Sequence, residues 1–198
     1  VAQRKARRRI ARRRGAGWWI VPILFVALVA GAVALMAWPD AVDRQVHPDR
    51  YRVSGTAMLA ADRYVVAANA VLARGEMIAR IEAPRGEGPV LALASGEATV
   101  FLDPPNARVL GVARGGGWYD GAVRWMRWRR HDDAGRPLAA PALAVDRVLA
   151  LAGKLGRARW VSVEWPTERR ADWVVAYRQG RVLVADDAGG AVVVGARE

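Results

Sequence analysis

The chain has 198 residues and a formal net charge of +12 at pH 7, with no cysteine and two histidines. The missing cysteines exclude disulfides, thiolate metal sites and cysteine nucleophiles. Eight Lys and Arg residues fall in the first 14 positions, leaving 23 basic against 19 acidic residues in the remainder. The excess charge therefore belongs to a tail, and no nucleic acid is expected as a partner.

The basic tail, residues 1–16, precedes Gly17–Trp38, a run of 22 residues without a charge. At about 1.5 Å per residue, 20-odd helical residues cross a hydrocarbon core of roughly 30 Å. The run is expected to be a transmembrane helix over residues 17–38, with Trp18, Trp19 and Trp38 as aromatic anchors at the two interfaces. The tail would stay in the cytoplasm and contact anionic lipid of the cytoplasmic membrane. The expected localisation is the cytoplasmic (inner) membrane, as a single-pass, uncleaved signal anchor. Everything from Pro39 onward would then be periplasmic or extracytoplasmic. The rival readings are a buried helix of a soluble domain and a cleaved signal peptide. The second wants an apolar region of about 7–15 residues and a small-x-small cleavage site, which Leu35-Met36-Ala37 fits poorly.

Residues 39–54 read as a polar linker with two prolines. Within residues 55–113, Met58, Ala61, Val65, Ala68 and Leu72 recur at spacings of three and four, predicting an amphipathic helix over Thr56–Leu72. Arg74-Gly75 ends it. Strands are expected at Met77–Ala83, Val90–Leu93, Ala98–Leu102 and Ala107–Val112, separated by Pro-, Gly- and Asp-containing turns. Residues 114–137 are rich in Trp and Arg. On a helical wheel Trp118 and Trp125 share a face, with Trp128 one step on, and Arg124, Arg127 and His131 share another. Such a segment suits a membrane interface, and equally a helix packing its tryptophans on the domain. Residues 138–198 repeat the earlier order: a helix at Ala142–Ala152, then strands at Arg159–Trp165, Trp173–Tyr177, Val182–Ala185 and Val192–Val194.

The two units match in sequence. Ile81-Glu82-Ala83-Pro84 aligns with Val163-Glu164-Trp165-Pro166, and Asp103–Gly111 aligns with Asp187–Gly195. The expected fold class is α+β: one N-terminal transmembrane helix followed by two tandem units, each a helix packed on a small antiparallel sheet. Trp173 is expected in the core of the second.

The order of basic tail, apolar helix and paired units, with Val100-Phe101-Leu102-Asp103-Pro104-Pro105-Asn106-Ala107, resembles the PepSY domain and its PepSY-associated transmembrane relatives. Asp103-Pro104 keeps the Asp-Pro of that family's turn but lacks its Thr-Gly. Asp187-Ala188-Gly189-Gly190 keeps Asp and Gly but lacks Pro. The run from Val161 to Gly180 resembles the family's Pro-then-Trp hairpin. Arg130-His131 stands where the family carries Leu-His before a further membrane helix. Residues 55–113 and 138–198 would be PepSY-like repeats. The resemblance implies a non-catalytic, membrane-anchored module that binds or regulates a partner protein, peptide or peptidase. The alternative it implies is an accessory of iron or siderophore uptake, or of a ferric-siderophore reductase. His131 would be the candidate haem ligand by that analogy. The apolar helix contains none of the histidines the family often carries there, so no cofactor is expected.

Motifs for catalysis are lacking. Gly115-Gly116-Gly117 has no strand-to-helix phosphate context. The adjacent pairs Asp132-Asp133 and Asp186-Asp187 diverge in any regular element, and read as turn residues rather than acid–base pairs or metal ligands. No enzyme activity is expected.

Overall fold

The computed structural model describes residues 20–37, 39–96, 98–114, 135–155, 159–187 and 191–194. The chain divides into two units, residues 1–46 and residues 47–198. The first holds helices α1 (Ile20–Ala37) and α2 (Pro39–Val46). Apolar side chains such as Val21, Phe25 and Leu28 on α1 are exposed. Among the described residues no helix is long and apolar enough to cross a membrane. Helix α1 has 18 residues. At about 1.5 Å each the described helix spans about 27 Å, against the roughly 30 Å of a hydrocarbon core. This corrects the expectation of a 22-residue crossing helix. The signal anchor, the periplasmic domain and the single-pass inner-membrane localisation fall with it. The tail and Trp18, Trp19 and Trp38 lie outside the described residues. The supposed linker is partly helical: α2 opens on Pro39, whose fixed φ suits a first helical position, and carries Arg44 in its last turn.

In the second unit, alternating sequences form eight strands. These are β1 (Ile78–Glu82), β2 (Val90–Ala94), β3 (Thr99–Leu102), β4 (Val109–Ala113), β5 (Trp160–Glu164), β6 (Asp172–Tyr177), β7 (Gly180–Ala185) and β8 (Ala191–Val194). They make one antiparallel sheet in the order β4-β3-β2-β1-β5-β6-β7-β8. The expected arrangement of two small sheets, each under its own helix, is therefore corrected to a single continuous sheet. The join is β1 with β5, pairing Arg80 with Glu164, Ile81 with Val163 and Glu82 with Ser162. Separate sheets would leave both of these strands as open edges with unpaired backbone groups. Joining them pairs those groups and buries Ile81 and Val163 completely.

Helices α3 (Ala61–Asn69) and α4 (Val145–Gly153) share one apolar cluster with the sheet. Tyr64 and Ala68 of α3, and Val148 and Ala152 of α4, meet a row that runs across the strands through Val100, Ala92, Ile81, Val163, Val175 and Val182. Each fully buried Val or Ile of this row contributes roughly 1.5–3 kcal/mol. Trp173 is 1% exposed, as its place on the central strand of the second half requires, and stacks at a tilt on Trp165 with centroids 4.9 Å apart.

Both helices start later than their apolar periodicity predicts, because the residues ahead of them are tied elsewhere. Ser54 donates from its backbone N and its Oγ to the Asp103 carboxylate, at 2.9 and 2.6 Å. Ala142 and Leu143 donate their backbone N–H groups to Asp186, at 2.8 and 3.0 Å. Asp146, in the first turn of α4, accepts from the amides of Ala61 and Asp62 at 2.8 and 3.4 Å, and so caps α3 from the other half of the unit.

Candidate functional site

Period-2 alternation in β1 and β5 sends Ile81 and Val163 to the helix side and Arg80, Glu82, Ser162 and Glu164 to the opposite face. On that face the join becomes a charge cluster. Arg80 reaches across to Glu164 at 3.3 Å and along its own strand to Glu82 at 3.1 Å. Arg85, just beyond β1, meets the other oxygen of Glu82 at 3.4 Å. Arg170 meets the other oxygen of Glu164 at 3.2 Å. The turn that carries Arg170 is fixed locally: Thr167 N donates to the Arg170 carbonyl at 2.7 Å, and Arg170 N donates to Thr167 Oγ1 at 3.1 Å.

Among the described residues, three guanidinium groups thus meet two carboxylates. The Arg80, Glu82 and Glu164 side chains are only 17%, 13% and 19% exposed, so water screens them weakly. Removing one member of such a group leaves a partner charge unpaired in a poorly solvated place, at a cost of about 3–5 kcal/mol when burial is full. The Nε–H groups of Arg80 and Arg170 are buried and have no acceptor among the described residues. A buried donor left without a partner costs about 1–3 kcal/mol.

Register places apolar neighbours on both sides. Leu93 lies beside Arg80 and Leu91 beside Glu82, while Val174 lies beside Glu164 with Leu183 next to it. Leu91, Leu93 and Leu183 are half-buried. At the first-half end of the same face, the one-turn helix Pro48–Tyr51 covers Phe101. Arg50 sits 5.4 Å from the ring centroid and Tyr51 meets it edge-on at 5.7 Å. Gly111 makes room there, since a Cβ would lie 3.0 Å from Arg50 Cγ. Guanidinium groups do not exchange protons at neutral pH, so the arginines of the cluster can hold an anion.

Of the candidate site residues singled out from the sequence, Asp186 and Asp187 are described. Trp118, Arg124, Trp125, Arg127, Trp128 and His131 all lie outside the described residues, as do Asp132 and Asp133. Asp186 is a structural acceptor: besides Ala142 and Leu143 it takes the Trp173 Nε1–H at 2.7 Å. Among the described residues no group of three His, Asp or Glu could hold a metal ion. The seam was missed, although its signal was present. Arg80 and Glu82 are two apart in a strand, and Glu82 aligns with Glu164 in the repeat.

No family model and no curated protein matches the chain, and the PepSY resemblance rests on its short motifs alone. A solved structure similar to this one is a protein of Clostridium difficile 630 assigned as a lipoprotein. The identity is 8% and the TM-score 0.37, over 59% of this chain and 78% of that one. A likeness at that level carries no argument about function.

Proposed function

We propose that this protein is a non-catalytic module that binds a partner protein or peptide through the sheet face opposite its helices. The observation that carries the reading is the join between β1 and β5, where half-buried charges with unfilled donors are flanked by half-buried leucines. Binding surfaces combine an apolar patch with a few oriented polar groups in this way. The other sheet face is filled by α3 and α4. The iron-uptake alternative has no observation of its own here.

Site-specific photocrosslinking in cells tests the reading. A benzophenone side chain at Leu183 or Leu91 should give a discrete adduct, and one at Val66 should not; Val66 is 69% exposed on α3. Adducts that form equally well from Val66, or none from either leucine, would remove the sheet face as the binding surface.

A further inference from the structure

Two donors of the cluster at the join, Arg80 Nε–H and Arg170 Nε–H, have no acceptor among the described residues. Each guanidinium offers five N–H donors in a fixed fork. Arg80 and Arg170 each give one terminal nitrogen to Glu164, and Arg80 gives another to Glu82. Their Nε–H groups, side by side with those terminal nitrogens along each fork, are buried and unmatched among the described residues. A carboxylate is the planar acceptor that fits such an edge with two parallel hydrogen bonds.

We infer that Arg80 and Arg170 form a receptor for a third carboxylate, supplied by an acidic side chain within a segment of the bound partner. The inference rests on the proposed function and names the chemistry of its central contact. The flanks decide what kind of carboxylate it is. Leu91 and Leu93 lie on one side of the charges, and Leu183 on the other, beyond the buried Val174. A segment that touches both flanks runs across the cluster, so its acidic group is internal and not a chain terminus. Entry goes through Arg170, whose side chain is 33% exposed and sits on a turn. Arg80 is held within a strand, with a side chain 17% exposed. When Arg170 swings outward, the acceptor reaches both Nε–H groups. Glu164 stays bound to Arg80, so no carboxylate is left unpaired.

The test follows the arginine Nε–Hε signals of the full chain by NMR, assigned with Arg80→Lys and Arg170→Lys. The probe is an acetylated, amidated peptide with one glutamate between leucines. A second peptide carries glutamine in its place, and a third has a free C-terminus and no acidic side chain. The glutamate peptide should shift both signals saturably, and more weakly in high salt, because screening shortens to about 3 Å at 1 M. The glutamine peptide and the Arg170→Gln variant should each lower affinity by about tenfold or more, equivalent to about 1.4 kcal/mol. Arg170→Gln changes a half-buried residue on a turn, and unchanged signals from the α3–α4 core would verify its fold. Sodium acetate shifting the signals as strongly as the peptide would mean an adventitious ion only. Equal binding of the glutamine peptide, preferred binding of the free C-terminus, or no saturable shift would also overturn the inference. The photocrosslinks from Leu183 judge the proposed function separately. If they persist in Arg170→Glu, the sheet face binds its partner without this receptor.

Discussion

The two halves of the sheet solve one packing problem with the large residue placed on opposite sides. Helices α3 and α4 begin at Ala61 and Val145, which sets Tyr64 in register with Val148. In the first half the bulk comes from the helix: Tyr64 shares the buried cluster with Val90, which pairs with Leu102. In the second half it comes from the sheet: Trp173, which pairs with Val184, shares the buried cluster with Val148. Each large residue carries a polar tip to the same place, the turn after the third strand of its half. Tyr64 donates its hydroxyl to the Pro104 carbonyl, and Trp173 donates its indole N–H to Asp186. Volume and one anchored polar group are what the fold demands at this layer, and either element can supply them.

The strongest way to break that comparison is to remove the bulk. Trp173→Ala and Tyr64→Ala should each cost roughly 3–5 kcal/mol in denaturant unfolding, since both are fully packed. The sharper experiment moves the bulk. Trp173→Val alone and Val148→Tyr alone should each destabilise, one by a cavity and one by overpacking. Combined, they should recover at least about 1 kcal/mol of the summed loss, as contacting sites do. Strict additivity would show that the two sites do not share one volume.

The turn aspartates rank next. Asp103 is wholly buried. Its burial by itself pushes the carboxyl up, but hydrogen bonds from the Ser54 hydroxyl and amide and from Asn106, with the nearby Arg108 charge, hold it below its ordinary value. A depressed carboxyl stabilises the fold above its unfolded pKa, near 3.8, and that contribution is lost as the pH falls through the lower, folded value. Asp103→Asn turns an amide N–H toward donors and should cost about 1.5–3 kcal/mol at neutral pH. The loss should shrink in acid. Asp186 is half-buried, so Asp186→Asn should cost less, about 1 kcal/mol. The reverse order would mean that the second half, not the first, depends on its turn.

How much of this could be read from the residues depends on whether the cause is local. Strand positions followed alternation and turn chemistry closely, and the repeat was visible in Ile81–Pro84 against Val163–Pro166. Helix starts were read too early: Asp186 holds the N–H groups of Ala142 and Leu143, which periodicity assigns to the second helix, and Asp146 caps the first helix at Ala61 and Asp62. Those partners are more than 40 residues away in sequence. Sequence alignment set Asp103 against Asp187, whereas the structure makes Asp186 its counterpart, since chain geometry after β7 decides which of two adjacent aspartates turns inward. Whether two repeats form two sheets or one depends on edge pairing between β1 and β5, which no local pattern encodes. The charged seam follows from that pairing, so it stayed hidden for the same reason.

The smallest expected effect lies where the halves meet. Asp62 and Asp146 occupy equivalent first-turn positions in α3 and α4, but their roles differ. Asp146 accepts amides at the start of α3. Asp62 has its carboxyl pushed above the ordinary value, first by desolvation and then by the charge of Asp146 and a hydrogen bond with it. A raised carboxyl favours the fold only while it holds its proton. Its contribution is full below the unfolded pKa, near 3.8, and is lost as the pH rises through the higher, folded value. Asp62→Asn keeps a donor toward Asp146 and removes the repulsion. It should therefore stabilise the protein at neutral pH by about 0.3–0.5 kcal/mol, discounted for the partial exposure of the site, and the gain should vanish in acid. Asp146→Asn should act the other way. It weakens the cap on α3 and withdraws a negative charge from a helix start, costing about 1 kcal/mol. Unfolding titrations of both variants across pH check the pair. Equal and parallel profiles would make the two aspartates interchangeable, and the join symmetric in its chemistry as well as in its position.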